Sequence, residues 1–535
     1  MSRPELSTGE ALVGLLEAYG VDTIFGIPGV HNVEMYRALP RSGIKHVLVR
    51  HEQGAGFMAD GYARATGKPG VCFTITGPGL CNILTPMGQA WSDSSPVLVV
   101  SSALDVKDSA QGRGRLHEML DQRGAAATIT SLAMRAYTPR DVQDGVARAF
   151  AAFASGRPRP AYLELPLDIL KQPAGDGWEA HALPGQAQAR PADIVAAAAE
   201  LESAKRPVII LGGGALGAGK EALAIAEKLG AIIITTTAGK GAVPESHPLC
   251  YGYRMASEAG QKIMRDADIV LAAGTELSET DFWDTGFIFG KGLIRIDVDT
   301  QSLARPHPAE IAILADAQPA LAAIAAALDA ASGDKRRSAP EEEIKTLLAG
   351  EAQHDNALRK TLRQVLTVIR EALPAETVIA SDMTQIAYAA NEIFPVDEPR
   401  TWLHPVGFGT LGFALPAGIG AKFGCPEKPV AVMIGDYGIQ YTINELGTAA
   451  EHKLPLVILM WNNDALGQIR DDMVQKGIQP NAVTLINPDF QALAKAYRCH
   501  AEKPDSLKAL SQAIARALKA DGPTLIEMTP RMLNG

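Results

Sequence analysis

The chain has 535 residues, of which 47% are hydrophobic and 21% charged, which is an ordinary globular composition. Because single cores stop growing near ~250–300 residues, this length predicts about three domains. The net charge of −10 argues against a surface that binds nucleic acid or an anionic membrane. The apolar runs fall short of the ~18 residues that a membrane helix needs. The start, MSRPELS, lacks the apolar core of a signal peptide, so a cytoplasmic protein with reduced cysteines is expected.

Two breaks in composition divide the chain. Residues 171–191 are rich in proline and glycine, and residues 332–343 (SGDKRRSAPEEE) are polar and charged. Both stretches are typical of linkers between domains. They predict domains over residues 1–172, 190–330 and 345–535.

Each of these segments alternates short β-branched runs with longer helix-like stretches, such as 52–66 and 80–91. The predicted strands cover 71–76, 97–101, 207–211, 231–236, 269–273, 293–298, 378–381, 430–435, 456–461 and 524–528. Buried strands that alternate with helices imply parallel sheets with helices on both faces. The predicted fold class is therefore α/β, with three doubly wound parallel-sheet domains whose ligands sit at the carboxyl ends of strands.

The most informative stretch lies in the third segment, where PVAVMIGDYGIQ is followed by a helix and then by LPLVILMWNNDA. Asp436 follows the first strand and Asn463 the second, so the crossover should bring both to the same sheet edge. Carboxylate and amide oxygens suit Mg²⁺, which completes its shell with phosphate oxygens and water. The neighbouring Gly435 and Gly438 would let backbone N–H groups approach a diphosphate. The alternative is two ordinary strand-end turns with polar caps.

Three further blocks carry chemistry. The stretch RHEQGAGFMADGYAR opens a helix and puts Glu52 in its first turn, a place where the helix dipole alone favours a carboxylate. The turn GPGLCN (77–82) follows a predicted strand. The stretch GFGTLGFALPAGIG (407–420) is a glycine-dense opening to a packed helix, in which small residues permit close approach of a ligand or of another backbone.

Together these four blocks resemble the thiamine-diphosphate enzymes of the acetohydroxyacid synthase, pyruvate decarboxylase and benzoylformate decarboxylase superfamily. The resemblance covers essentially the whole chain and implies pyrimidine-binding, middle and diphosphate-binding domains in that order. It implies thiamine diphosphate and Mg²⁺ as cofactors, with the metal held by Asp436, Asn463 and the carbonyl of Ala465. It also implies a homodimer as the least competent unit, because two subunits contribute to one site, and a homotetramer is common among relatives.

The resemblance assigns cofactor contacts residue by residue. Glu52 matches the glutamate that contacts the aminopyrimidine ring, Leu411 matches the residue that bends the cofactor, and Gly409 matches a carbonyl that accepts from its amino group. The other expected contacts are Gly79, Asn82, Thr384, Gln385, Gly435, Asp436, Tyr437, Gly438 and Asn463. Two places depart from the family pattern: Met383-Thr384 replaces a commoner Val-Gly, and Gly-Asp-Tyr-Gly replaces Gly-Asp-Gly. Tyr437 should leave metal binding intact, because Asp436 and Asn463 keep their spacing.

The middle segment contains a competing motif. The loop GGGALG (212–217) after a strand fits a dinucleotide site, but the next strand ends in ITTT without the acidic residue that such a site needs. Related synthases hold a non-redox FAD in this domain with an arginine after Gly-Ala, where this chain has Gly274-Thr-Glu276. Neither NAD nor FAD is therefore expected.

The substrate side is predicted from three loops. His31 ends GIPGVH, where the superfamily varies its catalytic polar residue and where Val30 stands in this chain. His117 lies in GRLHE, near the place where synthases have a Phe-Gln pair, and Gln468 replaces a synthase methionine. A single histidine is more often structural, so the two are candidate catalytic residues because both lie in pocket-forming loops.

These loops, with GTELSETD, most resemble 2-ketoarginine decarboxylases. In the family the cofactor acts as an electron sink while CO₂ leaves a 2-oxo acid. The first hypothesis is decarboxylation of a 2-oxo acid larger than pyruvate, with release of an aldehyde. The second is a carboligase similar to acetolactate synthase. The third is a catalytically silent regulatory subunit, against which the joint presence of Glu52, Asp436 and Asn463 argues.

Overall fold

The computed structural model describes residues 6–332 and 336–533. The chain forms two compact units. The first contains residues up to 184, residues 378–384 and the chain from 407 onward; the second contains residues 185–377 and 385–406. Of the second predicted linker, residues 333–335 lie outside the described residues.

The first unit opens with a six-stranded parallel sheet in the order β2-β1-β3-β4-β6-β5, whose strands are β1 (Thr23–Gly26), β2 (Lys45–Leu48), β3 (Gly70–Thr74), β4 (Val97–Ala103), β5 (Leu132–Arg135) and β6 (Ala161–Pro166). Its helices are α1 (Thr8–Ala18), α2 (Val33–Tyr36), α3 (Glu52–Thr66), α4 (Pro78–Ser92), α5 (Gln122–Ala127), α6 (Pro139–Ser155) and α7 (Leu167–Leu170). The strands β3 and β4 are buried along their whole length, as expected for a sheet covered on both faces.

The second unit contains a parallel sheet in the order β12-β11-β10-β7-β8-β9, whose strands are β7 (Pro207–Leu211), β8 (Ile232–Thr235), β9 (Cys250–Gly252), β10 (Ile269–Ala273), β11 (Gly292–Asp297) and β12 (Ile311–Leu314). The helices between residues 185 and 377 are α8 (Pro191–Ser203), α9 (Gly219–Leu229), α10 (Glu258–Asp266), α11 (Glu279–Phe282), α12 (Thr300–Ala304), α13 (Ala317–Ser332), α14 (Glu341–Gln353) and α15 (Ala357–Ala372). Aliphatic side chains from both faces of the sheet form two separate core clusters.

The remaining elements form the third sheet and its helices. In chain order they are β13 (Val378–Ser381), α16 (Gln385–Ile393), β14 (Trp402–Leu403), α17 (Ala414–Gly424), β15 (Val430–Gly435), α18 (Asp436–Gln440), α19 (Leu446–Glu451), β16 (Leu456–Trp461), α20 (Gly467–Gln475), α21 (Phe490–Ala496), β17 (His500–Glu502), α22 (Leu507–Ala517) and β18 (Thr524–Met528). Of these, α16 and β14 fall in the second unit. Within the first unit the strand order is β13-β15-β16-β18-β17, with parallel pairing.

The predicted α/β class with three parallel sheets is confirmed. The helix α3 and six strands have the predicted bounds: β7, β10, β13, β15, β16 and β18. The strand predicted at 71–76 is instead Gly70–Thr74. Thr76 lies in the turn after the strand, where its hydroxyl and backbone N–H pair with the hydroxyl of Ser102 in β4. No helix in the described part of the chain is long and apolar enough to cross a membrane.

Candidate active site

Glu52 begins α3, directly after β2, at the carboxyl edge of the first sheet. Its side chain is buried, with the residue only 8% exposed, and its Oε2 accepts a hydrogen bond of 2.9 Å from Nδ2 of Asn82. A Cβ atom added at Gly79 would lie 3.5 Å from Oε1 of Glu52. The structure therefore brings together three predicted cofactor contacts, Glu52, Gly79 and Asn82, and orients the carboxylate with an amide donor.

The two predicted catalytic histidines also meet. The ring centroids of His31 and His117 are 4.8 Å apart, in an edge-to-face arrangement. The Nδ1 atom of each ring is buried without a hydrogen-bond partner among the described residues. The backbone of His117 packs on the turn before α4, since a Cβ at Gly77 would lie 2.5 Å from the His117 carbonyl oxygen. Burial and, secondly, the neighbouring His117 lower the pKa of His31 below its ordinary value.

Asp436 stands at the corresponding edge of the third sheet, directly after β15. It is 3% exposed, and burial raises the pKa of its carboxyl. Its Oδ1 accepts from the backbone N–H of Tyr437 at 3.0 Å, and its Oδ2 accepts from Nδ2 of Asn487 at 2.7 Å. The same Asn487 amide nitrogen lies 3.1 Å from Oδ1 of Asn462 and 3.0 Å from Oδ1 of Asp464. The two N–H groups of the Asn487 amide thus lie among three oxygens from two strand ends.

The predicted metal ligands on the next strand lie at this edge as well. Gly435 pairs with Trp461 in the parallel register, so the residues that follow each strand are neighbours. The Oδ1 atom of Asn463 accepts from the backbone N–H of Ala465 at 3.3 Å. The side chains of Asn462 and Asp464 share the Asn487 amide with Asp436.

The chemistry of this donor set fits Mg²⁺. Carboxylate, amide and carbonyl oxygens are the hard ligands that the ion prefers, and it commonly uses only one or two carboxylates together with phosphate oxygens. The described residues contain no group of three or more His, Cys, Asp and Glu side chains that could hold a metal. A magnesium ion at Asp436 would therefore need non-acidic protein ligands and oxygens from a bound diphosphate, as the sequence predicts.

The glycines on either side of Asp436 pack closely against the loop that follows β13. A Cβ at Gly435 would lie 2.9 Å from the Thr384 hydroxyl, and a Cβ at Gly438 would lie 3.3 Å from the Asp382 carboxyl group. Thr384 therefore lies beside Gly435, and Asp382 lies beside Gly438. Gln385 begins α16 and is buried.

The segment 407–414, which carries Gly409 and Leu411, is held on one side by a buried carboxylate. Asp382 accepts from the backbone N–H groups of Gly412 at 3.0 Å and Ala414 at 3.3 Å. Burial raises the pKa of Asp382 to about 7. Gly409 has a φ of +63°, a conformation that favours glycine, and Leu411 is half-buried.

A side chain of α4, that of Gln89, and that of Asp93 directly after the helix hold the other end of this segment. Oε1 of Gln89 accepts from the backbone N–H of Thr410 at 3.1 Å and from its hydroxyl at 2.8 Å. Oδ1 of Asp93 accepts from the backbone N–H of Gly407 at 2.7 Å, while Arg64 donates to Oδ2 at 2.9 Å. The segment predicted to shape the cofactor is therefore fixed from both sides.

The remaining predicted residues differ in their surroundings. Gln468 is exposed on α20 and donates to Asp472 at 3.0 Å. Tyr437 packs edge-to-face on Tyr441, with ring centroids 5.4 Å apart.

In the second unit, a Cβ at Gly212 would lie 2.2 Å from the carbonyl oxygen of Gly274, so close backbone packing accounts for a glycine there. The adjoining loop is held by buried Arg295, which donates to the Glu276 carbonyl at 3.2 Å.

Four residues of this site were not predicted from the sequence: Asn487, Asp382, Gln89 and Asp93. Asp382 has a local signal, because it directly follows a buried strand in the stretch SDMTQ (381–385). Gln89 and Asp93 accept hydrogen bonds from backbone groups more than 300 positions away along the chain. Asn487 lies in a loop without a motif.

Polar clusters and glycine turns at the carboxyl edges of two parallel sheets are typical of a cofactor-binding enzyme. Three family models match the chain: "Thiamine pyrophosphate enzyme, N-terminal TPP binding domain" over residues 6–125, the central domain over 194–324, and the C-terminal TPP binding domain over 382–528. The chain belongs to the thiamine pyrophosphate enzyme family, which confirms the resemblance found in its motifs.

Curated relatives cover nearly the whole chain. The "Probable 2-ketoarginine decarboxylase" of Pseudomonas aeruginosa is 47% identical over 527 residues, which are 98% of this chain and 94% of that protein. The "Probable acetolactate synthase large subunit" of Methanocaldococcus jannaschii is 32% identical over 97% of this chain and 91% of that protein. The "Acetolactate synthase isozyme 3 large subunit" of Escherichia coli is 31% identical over 92% of this chain and 88% of that protein.

Proposed function

We propose that this chain is a thiamine-diphosphate- and Mg²⁺-dependent decarboxylase that converts a 2-oxo acid larger than pyruvate into an aldehyde and CO₂. The observation that carries the proposal is the contact between His31 and His117, two imidazoles in loops that are predicted to form the substrate pocket. The 47% identity to a protein named as a 2-ketoarginine decarboxylase supports 2-ketoarginine, or a similar 2-oxo acid with a cationic side chain, as the substrate.

The cofactor would supply an electron sink for the carbanion left when CO₂ departs. On the protein side, Asp436, Asn463 and the carbonyl of Ala465 would hold Mg²⁺, with Asn487 positioning Asp436. The diphosphate would lie against Thr384, Gln385, Gly435, Tyr437 and Gly438, and Asn463 would contact it through the metal. The ring system would lie against Gly79, Asn82, Gly409 and Leu411.

Glu52 would share a proton with the aminopyrimidine ring, with its carboxylate oriented by Asn82. His31 and His117 would deliver the proton that replaces CO₂ in the aldehyde. Gln468 would line the substrate side. The reaction balances, since a 2-oxo acid anion and one proton give one aldehyde and one CO₂.

We propose the domain boundaries that the sequence predicts: a pyrimidine-binding domain over 1–172, a middle domain over 190–330 and a diphosphate-binding domain over 345–535. The active form would be a cytoplasmic homodimer or homotetramer without FAD.

A second candidate function is that of a carboligase, which joins the acyl fragment to another carbonyl. The synthase relatives at 31–32% identity favour this alternative. A catalytically silent subunit is disfavoured, because such a protein has no use for buried carboxylates at both Glu52 and Asp436.

Titration of the cofactors tests the proposal. Protein freed of cofactor and metal should release CO₂ from 2-ketoarginine only when both thiamine diphosphate and Mg²⁺ are restored. One aldehyde should appear for each CO₂, which chromatography of the products measures. A protein that binds the cofactor but releases no CO₂ from any 2-oxo acid would contradict the proposal and support the silent subunit.

A further inference from the structure

Glu445, a buried glutamate between β15 and β16, contacts the turn that precedes Glu52. Glu445 ends a single 3-10 turn (Ile443–Glu445) and has no exposed surface. Its two carboxylate oxygens lie 3.1 Å and 3.2 Å from the backbone nitrogen of Arg50, which donates to them. The backbone N–H of His51 is a further donor to this carboxylate. Thr448 donates its hydroxyl to the second oxygen at 2.6 Å.

This carboxylate completes the N-terminus of α3. The first backbone N–H groups of a helix lack partners within the helix, and a negative charge is favoured beside them. Nδ1 of His51 accepts from the N–H of Gln53 at 3.1 Å, so the side chain of His51 caps one of these groups. Glu445 takes the backbone N–H groups just before the helix. The contact is tight, since a Cβ at Gly54 would lie 2.3 Å from Oε1 of Glu445.

We infer that Glu445 is a positioning residue for Glu52: by holding the backbone at Arg50 and His51 it fixes where the Glu52 carboxylate points. The inference rests on the proposed function, in which Glu52 shares a proton with the cofactor. Glu445 itself would touch neither cofactor nor substrate. It acts through two residues of backbone, and Asn82 then orients the carboxylate from the other side.

Three substitutions separate position from charge. Glu445→Asp keeps the charge but withdraws the carboxylate by one methylene, so it no longer reaches the backbone of Arg50. Glu445→Gln loses the charge but keeps an acceptor oxygen at the same reach, and its amide can donate to the Thr448 hydroxyl oxygen. Glu445→Ala removes the acceptor and leaves buried N–H groups unpaired. A positioning role predicts that Glu445→Asp slows proton exchange at C2 of the cofactor more than Glu445→Gln does. A purely electrostatic role predicts the reverse order.

The control is Glu451→Gln. Glu451 lies in the following helix α19, is exposed and pairs with the side chain of Arg50 rather than with its backbone. This control therefore removes a carboxylate near the same residue without touching the helix N-terminus.

Two measurements read the effect. The first is hydrogen–deuterium exchange of the amides at residues 50–54 in protein free of cofactor, which needs no catalysis. The second is exchange of the C2 proton of bound thiamine diphosphate, followed by quenched NMR at saturating cofactor. Because small displacements of a catalytic group are costly, C2 exchange should fall by ~10²-fold in Glu445→Ala and ~10-fold in Glu445→Asp, but only about threefold in Glu445→Gln. Amide exchange should accelerate in the same order, and Glu451→Gln should match the wild type in both.

Wild-type amide exchange and C2 exchange in Glu445→Asp would overturn the inference, as would a larger effect of Gln than of Asp. Should Glu445→Ala fail to fold, the Asp and Gln variants decide the matter. Glu52→Gln is measured alongside. If it slows C2 exchange while all Glu445 variants resemble the wild type, the positioning role alone is wrong. If Glu52→Gln has no effect, the proposed function fails instead.

Discussion

Asp436→Ala should lose Mg²⁺-dependent binding of thiamine diphosphate and keep its fold. The buried carboxylate is the charged protein ligand that we propose for the metal, and the other two proposed protein ligands are an amide and a carbonyl oxygen, which bind Mg²⁺ weakly alone. Changes in groups that only orient a metal ligand cost ~10–100-fold in affinity, so loss of the ligand itself should cost more than ~100-fold. Titration calorimetry with thiamine diphosphate and Mg²⁺ measures this, and far-ultraviolet circular dichroism checks the fold.

The matched control is Asp464→Asn. Asp464 also accepts from Asn487 and lies at the same sheet edge, but it is exposed and keeps its hydrogen bond as asparagine. Its φ of +52° is one that asparagine tolerates. Affinity in this variant should stay within a few-fold of the wild type. Unchanged cofactor affinity in Asp436→Ala, or an equal loss in both variants, would refute the assignment of Asp436.

Glu52→Gln should bind the cofactor but exchange its C2 proton ~10²–10⁴-fold more slowly, the usual scale of assistance by a positioned acid or base. The glutamine keeps the shape of the side chain and can still meet Asn82, so the buried turn need not move. It cannot share the proton that the carboxylate holds. Quenched NMR after transfer into deuterated water measures the rate directly.

Cofactor affinity in the same variant separates binding from proton transfer. It should remain within about tenfold of the wild type, because the diphosphate and metal contacts lie at the other sheet. Wild-type C2 exchange in Glu52→Gln would mean that Glu52 is only a carboxylate favoured at a helix start.

The strands and the strand-end clusters could be predicted because their signals are local. Continuous apolar runs such as β15 and β16 are buried on both faces, and their bounds follow from composition alone. The positions of Asp436 and Asn463 follow from the rule that parallel strands end at one edge. The turn at Thr76 was misassigned to a strand because its hydrogen bonds to Ser102 depend on tertiary structure.

Contacts between distant parts of the chain could not be predicted in this way. Glu445 and Arg50 are separated by 395 positions, and Gln89 and Thr410 by 321. A buried glutamate or glutamine has no periodic signature, and its partner is a backbone group present at every residue. The contact between His31 and His117 is of the same kind: each loop was predicted to form the pocket, but no spacing along the chain implied that the rings touch.

The central claim is that the protein releases an aldehyde from a 2-oxo acid larger than pyruvate. The most direct measurement offers the holoenzyme a panel that runs from pyruvate through arylglyoxylates to 2-ketoarginine, and identifies the products by chromatography. We predict the highest kcat/KM for 2-ketoarginine or a similar cationic acid, with the corresponding aldehyde as the main product. If pyruvate is the best substrate and acetolactate the main product, the decarboxylase account is wrong and the carboligase stands in its place.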